Sequence, residues 1–236
     1  MALGAASGPL VTRLVRRAPR EGRSRWAGKD DEGPGWWTVT DRAVLIPGEV
    51  IVRTLLKQFH RLPLPDLRLD PFVRVAERIE AVTSLSEDDR DWLRHRHAGL
   101  REQWERVFAG LPECVVHGDA WVGNVAHTPE GPVLLDFERA SIGPPEWDLV
   151  FTTAVRTTTI GVVTEAQYTQ FCGAYGTDVT KREGYELLAG ARELRMSLYA
   201  AQHTAMRPER QAEARYRVDC LRGRTEPRPW HWQGIM

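Results

Sequence analysis

At 236 residues, with 42% hydrophobic side chains, the chain can close a genuine core as one large domain or two small ones. Its 32 basic and 32 acidic side chains cancel to a formal charge of zero, so composition excludes a global pull toward nucleic acid or an anionic membrane. Cys114, Cys172 and Cys220 are odd in number and form no C-x-x-C, which excludes a disulfide framework and a cysteine-based zinc site.

Arginine carries nearly all the positive charge, since Lys29, Lys57 and Lys181 are the lysines; this bias points to a GC-rich bacterial genome. No stretch reaches the roughly 18 consecutive apolar residues of a membrane span, and a cytoplasmic protein is expected. Residues 1 to about 37 are rich in Gly, Pro and Arg, with a charged patch at Lys29-Asp30-Asp31-Glu32, and read as a loose or degenerate segment. Trp36 to Thr40 and Ala43 to Ile46 carry the β-branched and aromatic pattern of two short strands that stop at Pro47-Gly48.

Beyond Gly48 the helical period takes over. Ile51, Leu55, Leu56, Phe59 and Leu62 predict a helix that ends before Pro63, and Phe72, Val75, Ile79 and Val82 repeat the pattern. Ser86 with Asp89 predicts the capped start of a long helix whose apolar face is Leu93, Leu100, Trp104, Val107, Phe108 and Leu111. Cys114-Val115-Val116 reads as a short strand, and Val125 to His127 as a partner of Val133 to Leu135 across a Pro129-Glu130-Gly131 turn. Helices are expected from Trp147 to Thr153, from the Thr164-x-x-Gln167 capping box to Tyr175, and over 181–205 and 208–222. The aromatic tail Pro227 to Trp232 is apolar enough to dock on the body or to lie free.

The chemistry sits in the run Val115 to Asn124. His117-x-Asp119 with Asn124 five residues later, then Asp136 in Leu-Leu-Asp-Phe-Glu, has the spacing of a phosphoryl-transfer loop. Such transfer needs a carboxylate to take the alcohol proton and hard oxygen ligands for magnesium, and keeps covalent work to a minimum. Asp119 suits the first task, Asn124 and Asp136 the second. His117, grouped with Asp119 in the catalytic loop, reads as the residue that organises the turn. A metal-dependent hydrolase using His117, Asp119 and Asp136 is the rival reading, and the lack of a second clustered histidine counts against it.

Val-Val-His-Gly-Asp-Ala-Trp-Val-Gly-Asn at 115–124, Leu-Leu-Asp-Phe-Glu at 134–138 and Gly-Pro-Pro-Glu-Trp-Asp-Leu at 143–149 together resemble the aminoglycoside phosphotransferase family, related to choline and fructosamine kinases. The similarity spans about residues 38–222. It implies an α+β, protein-kinase-like fold: a reduced strand-containing amino-terminal lobe and hinge over 1–48, then a mostly helical catalytic lobe over 49–236 with a small hairpin bearing the site. It implies Asp119 as catalytic base, Asn124 and Asp136 as magnesium and nucleotide ligands, Asp148 as the carboxylate that steadies the loop, ATP as co-substrate and a small-molecule alcohol as acceptor. His60, in Phe59-His60-Arg61-Leu62, falls at the end of the helix after the hinge and reads as structural.

The resemblance also marks a departure. A complete amino-terminal lobe places a glycine-rich hairpin and a lysine-bearing strand before the hinge; about forty residues stand there, and Lys29 is their one lysine. Weak nucleotide binding is the expectation, and an inactive remnant or binding module is the alternative function. A polycationic acceptor would call for carboxylates, for which Glu165, Glu183, Glu186 and Glu193 are the candidates, although Arg192 and Arg195 beside Glu193 weaken an acidic pocket. A lobe short of its partner is further expected to expose Trp and Leu side chains and to be poorly soluble.

Overall fold

The computed structural model describes residues 48–63, 66–107, 112–128, 131–151, 164–204 and 207–234. The two strands expected between Trp36 and Ile46, the hinge, Lys29, Phe108 and Leu111 lie outside the described residues. Helix α1 spans Gly48–Phe59, α2 Val75–Ala81 and α3 Glu87–Val107. Strands β1 (Cys114–Val116), β2 (Val125–Thr128), β3 (Gly131–Leu134) and β4 (Ser141–Gly143) follow, with a 3-10 turn at Val122–Asn124 leading into β2. The helical residues 146–151 are α4, and α5 (Glu165–Tyr175), α6 (Tyr185–Thr204) and α7 (Gln211–Leu221) complete the order.

Local signals account for most boundaries. Ser86 Oγ accepts from the Asp89 amide at 3.2 Å and donates to the Asp89 carboxylate at 2.7 Å, which fixes the start of α3. Thr164 and Gln167 cap each other reciprocally at the head of α5. The helix expected from 181 begins only at Tyr185. Asp178 instead caps a separate 3-10 turn, Val179–Lys181, and Arg182 is extended, so the helical geometry cannot start sooner. Pro208 opens a 3-10 turn ahead of α7 and not α7 itself.

The four strands form two antiparallel pairs. β2 pairs with β3 in the register Val125 to Leu134 and Thr128 to Gly131, and β1 pairs with β4 so that Val115 faces Ile142. The second pairing has no turn signal in the sequence, because 24 residues separate the strands (from 116 to 141) and close only through tertiary contact. The chain at 67–69 adds to the free edge of β4: Leu69 N–H donates to Ile142 O at 2.7 Å and Ile142 N–H to Leu67 O at 2.6 Å. Gly143 is required by that approach, since a Cβ there would lie 2.9 Å from the Cβ of Leu69.

Alternation along β1 divides the interior. Val116 enters a helical core with Val75, Ile79, Leu93, Leu100, Trp147, Leu188 and Leu194, while Val115 enters a second cluster with Leu55, Leu56, Phe59, Leu134 and Leu149. The loop after β1 therefore emerges on the seam between two packed bodies, where its backbone is held from both sides. The aromatic tail docks: Trp230 and Trp232 are buried and stacked 5.3 Å apart beside Cys220, and the buried Arg217 lies 4.9 Å over Trp232. No described helix is long and apolar enough to cross a membrane, and none of the three cysteines is joined in a disulfide among the described residues.

Candidate active site

His117, Asp119 and Asn124 are each placed by a hydrogen bond that involves a backbone group. The Asp119 amide donates to His117 Nδ1 at 3.3 Å, and His117 Nε2 donates to Leu135 O at 2.8 Å. The Leu135 amide donates to Asn124 O at 2.8 Å, and Asn124 Nδ2 donates to Asp119 O at 2.8 Å. These four bonds close a circuit through residues 117, 119, 124 and 135. It is local geometry the spacing cannot show, since one link crosses from the loop to the end of the β2–β3 hairpin.

The circuit assigns roles. A carbonyl only accepts, so His117 carries its hydrogen on Nε2 and accepts on Nδ1. Both ring nitrogens are spent on the loop, which leaves no lone pair for a metal and makes His117 the loop's internal strut. By the same rule Asn124 turns its amide nitrogen to Asp119 O, leaving Oδ1 with no hydrogen-bond partner among the described residues. The carboxylates of Asp119 and Asp136 likewise accept no hydrogen bond from a described residue, Asp119 half-buried and Asp136 exposed.

Asp136 has φ +62°, a left-handed backbone that aspartate tolerates better than most residues. Neighbours on both sides hold it: Leu135 through the His117 ring, and Phe137 by stacking on Phe59 at 5.3 Å and lying 5.2 Å from the His117 ring. Such a conformation persists where packing over-determines it, and functional loops are the common setting.

Asp148, in the first turn of α4, is fully buried and spans the loop's other side. It accepts from the amides of His117 at 2.7 Å and Gly118 at 2.8 Å, and from His60 Nε2 at 3.0 Å. Burial alone would raise its pKa, but the His60 hydrogen bond, the His60 and His117 rings and the His117 amide outweigh it, and the net shift is downward. His60 is held in turn by Tyr175, whose hydroxyl is 2.7 Å from Nδ1. The structural reading of His60 thus becomes specific: with Tyr175 it is the far anchor of the His117–Asn124 loop, a link across 88 and 115 residues that no sequence period could reveal. Gly118 has φ +82°, and its missing Cβ leaves room for the Arg139 backbone, whose oxygen would sit 2.7 Å away.

Among the described residues no three His, Cys, Asp or Glu side chains converge as a metal cage. Two uncommitted oxygen donors, from Asn124 and Asp136, suit a magnesium ion that keeps waters and shares phosphate oxygens. The acidic acceptor pocket fares worse. Glu193 is buried and bonded to Arg228 of the tail at 2.6 Å, Glu186 is also paired with Arg228 at 3.1 Å, and Glu165 and Glu183 are exposed. Glu193 is therefore an anchor of the carboxy-terminal tail and not an acidic lining residue.

The family model described as the phosphotransferase enzyme family (APH) matches residues 52–190, more than half of the chain and the whole of the circuit. The chain belongs to that family. No curated protein matches it by sequence. A choline/ethanolamine kinase family protein from Mesorhizobium loti shares its fold at 18% identity and TM-score 0.55, over 77% of this chain and 63% of that one. Choline kinase LicA from Streptococcus pneumoniae matches at 15% identity and TM-score 0.52, over 75% and 64%. The amicoumacin kinase hAmiN in complex with AMP-PNP, Ca2+ and Ami matches at 13% identity and TM-score 0.53, over 80% and 62%. The fold of this phosphotransferase family member is thus the protein-kinase-like α+β one, and the chain spans somewhat under two thirds of the length of these solved relatives.

Proposed function

We propose that this chain carries the catalytic lobe of an ATP-dependent O-phosphotransferase that acts on a hydroxyl of a small molecule, with Asp119 as base and Asn124 and Asp136 as magnesium ligands. The observation that carries the reading is the four-bond circuit, which spends both ring nitrogens of His117 and the side-chain nitrogen of Asn124 on structure. Asp119, Asn124 Oδ1 and Asp136 are what remain for chemistry.

In that reaction Asp119 takes the proton of the acceptor hydroxyl, the acceptor oxygen forms a bond to the γ-phosphorus, the bond from phosphorus to the β,γ-bridging oxygen breaks, and ADP leaves with that electron pair. Magnesium supplies neutralisation of the phosphate charge. Asp148, His60 and His117 keep the loop rigid, so that the Asp119 carboxylate does not have to reorganise when the acceptor arrives. The hydrolase reading loses its ligand, because both nitrogens of His117 are already bonded. The cytoplasm is the proposed compartment, in keeping with three cysteines that form no disulfide among the described residues.

Calorimetric titration of the purified chain with ATP and magnesium tests the reading. Micromolar, magnesium-dependent binding that is lost in Asp136→Ala is expected, with Asp119→Asn retaining the binding but losing turnover by about 10²–10⁴-fold. A folded protein that takes up no nucleotide would instead favour the inactive remnant.

A further inference from the structure

Helix α6 carries two arginines one turn apart, Arg192 and Arg195, on the same face of the helix. Arg192 is 3% exposed. Its guanidinium lies 4.2 Å over the Trp147 ring, one terminal nitrogen donates to Trp147 O at 3.3 Å, and Nε has no partner. Arg195 donates to Pro71 O at 2.7 Å. Neither guanidinium has a carboxylate within ion-pairing distance among the described residues, nor has Arg78; Arg139 has its exposed neighbour Glu138, 3.8 Å away.

Helix α2, which carries Arg78, packs on α6, and Arg139 follows the hairpin that closes the loop, so the four arginines lie close enough to feel one another. Burial lowers the pKa of Arg195, and the positive charges of Arg192, Arg139 and Arg78 lower it further; Asp119 pulls the other way. Arg192 is lowered by burial, relieved by Asp119 and Asp148, and lowered again by Arg139. Arg78 is lowered by burial and then by Arg139 and Arg74. Arg139 brings the group to the loop itself, since its backbone and Cβ pack against Gly118, the residue before Asp119.

An unpaired buried guanidinium costs several kcal/mol, and like charges add to that. Among the described residues Asp119 is the one carboxylate with capacity left near Arg192 and Arg195, since Asp148 already accepts three hydrogen bonds. Simple tethering of α6 through the two carbonyl bonds would not call for a charge, still less for four. Guanidinium groups with no buried carboxylate paired to them among the described residues match the forked geometry of carboxylate and phosphate oxygens.

We propose that the acceptor carries an oxyanion, a carboxylate or a phosphate, which Arg139, Arg195 and Arg78 receive while its hydroxyl faces Asp119, with Arg192 as the buried charge behind them. The hydroxyl half of the statement rests on the phosphotransferase reading; the anion site does not. The site turns away polycations and quaternary amines, because they would be set against the same four charges.

The test uses the full chain in EDTA at constant ionic strength, titrated calorimetrically with inorganic phosphate and, separately, with acetate. Without metal and nucleotide, failure of the kinase reading leaves this signal untouched. Saturable one-to-one binding of at least one probe is expected, weakened tenfold or more in Arg139→Met, whose side chain is 39% exposed and whose replacement leaves the core intact. Preference for phosphate identifies a phosphorylated acceptor, and preference for acetate a hydroxy acid. The idea is overturned if the folded wild-type chain takes up neither probe, or if Arg139→Met and Arg195→Met both bind as tightly as wild type.

Discussion

Replacing Asp148 with alanine should remove the largest single support of the His117–Asn124 loop. Its carboxylate is buried and accepts from three donors, at 2.7, 2.8 and 3.0 Å. Each donor left buried and unpaired costs about 1–3 kcal/mol, and breaking a buried charged pair costs about 3–5 kcal/mol in all once the surroundings relax. The expected loss is therefore about 4 kcal/mol, a large share of the roughly 5–15 kcal/mol that holds an ordinary domain. With a urea m-value of about 2 kcal/mol/M, the midpoint should fall by about 2 M at unchanged slope.

His60→Phe removes only one donor and should cost about 1.5–3 kcal/mol. Because both changes break the same bond, the double variant should be less destabilised than the sum of the two. If Asp148→Ala does not fold, Asp148→Asn serves: it keeps one acceptor oxygen, sets an amide donor against a donor, and should lose an intermediate amount. A loss below about 1 kcal/mol in Asp148→Ala, or strict additivity with His60→Phe, would show that the carboxylate does not carry the loop.

Two buried carboxyls should act on stability with opposite sign across acid pH. Asp148 is lowered below its ordinary 3.8, so its contribution is complete above that value and is lost as pH falls through the lower folded-state value. Burial raises Glu193 above its ordinary 4.5, against the opposing charge of Arg228, so stability declines as pH climbs from 4.5 through the raised value. Urea unfolding against pH should show a decline on that upper side that Glu193→Gln flattens; the same slope in both proteins would refute the assignment. Gly118→Ala forces a side chain into φ +82° and to within 2.7 Å of Arg139 O, at about 1–3 kcal/mol of backbone strain. A melting temperature lower by about 5–10 °C is expected for a chain of this size, and an unchanged one would mean that the loop relaxes freely.

Much of the site was legible in the residues. The β1 strand, the hairpin after the loop and the register that brings Asp136 back beside Asn124 follow from β-branched runs and a turn signal close together in the chain. Capping at Ser86 and Thr164 was equally readable, because a cap is settled within four residues. The pairing of β1 with β4, the chain at 67–69 on the β4 edge, and the reach of His60 and Tyr175 to Asp148 were not, since each joins residues far apart without a local signal. Glu193 looked like any solvated helix glutamate until the tail laid Arg228 against it.

The sequence by itself determined which chemistry is available, because that depends on residue types at short spacing: a carboxylate, an amide and a second carboxylate around one strand and one hairpin. Tertiary structure decided which of those groups are free to act. Hydrogen-bond capacity is finite, and only the folded chain shows that His117 and Asp148 have spent theirs on the loop while Asp119, Asn124 Oδ1 and Asp136 accept none from a described residue. Charge follows the same rule: equal numbers of acids and bases sum to zero along the chain, while folding sets Arg192 and Arg195 within electrostatic reach of Asp119 and lays Arg139 against Gly118, a local excess of positive charge that composition does not show.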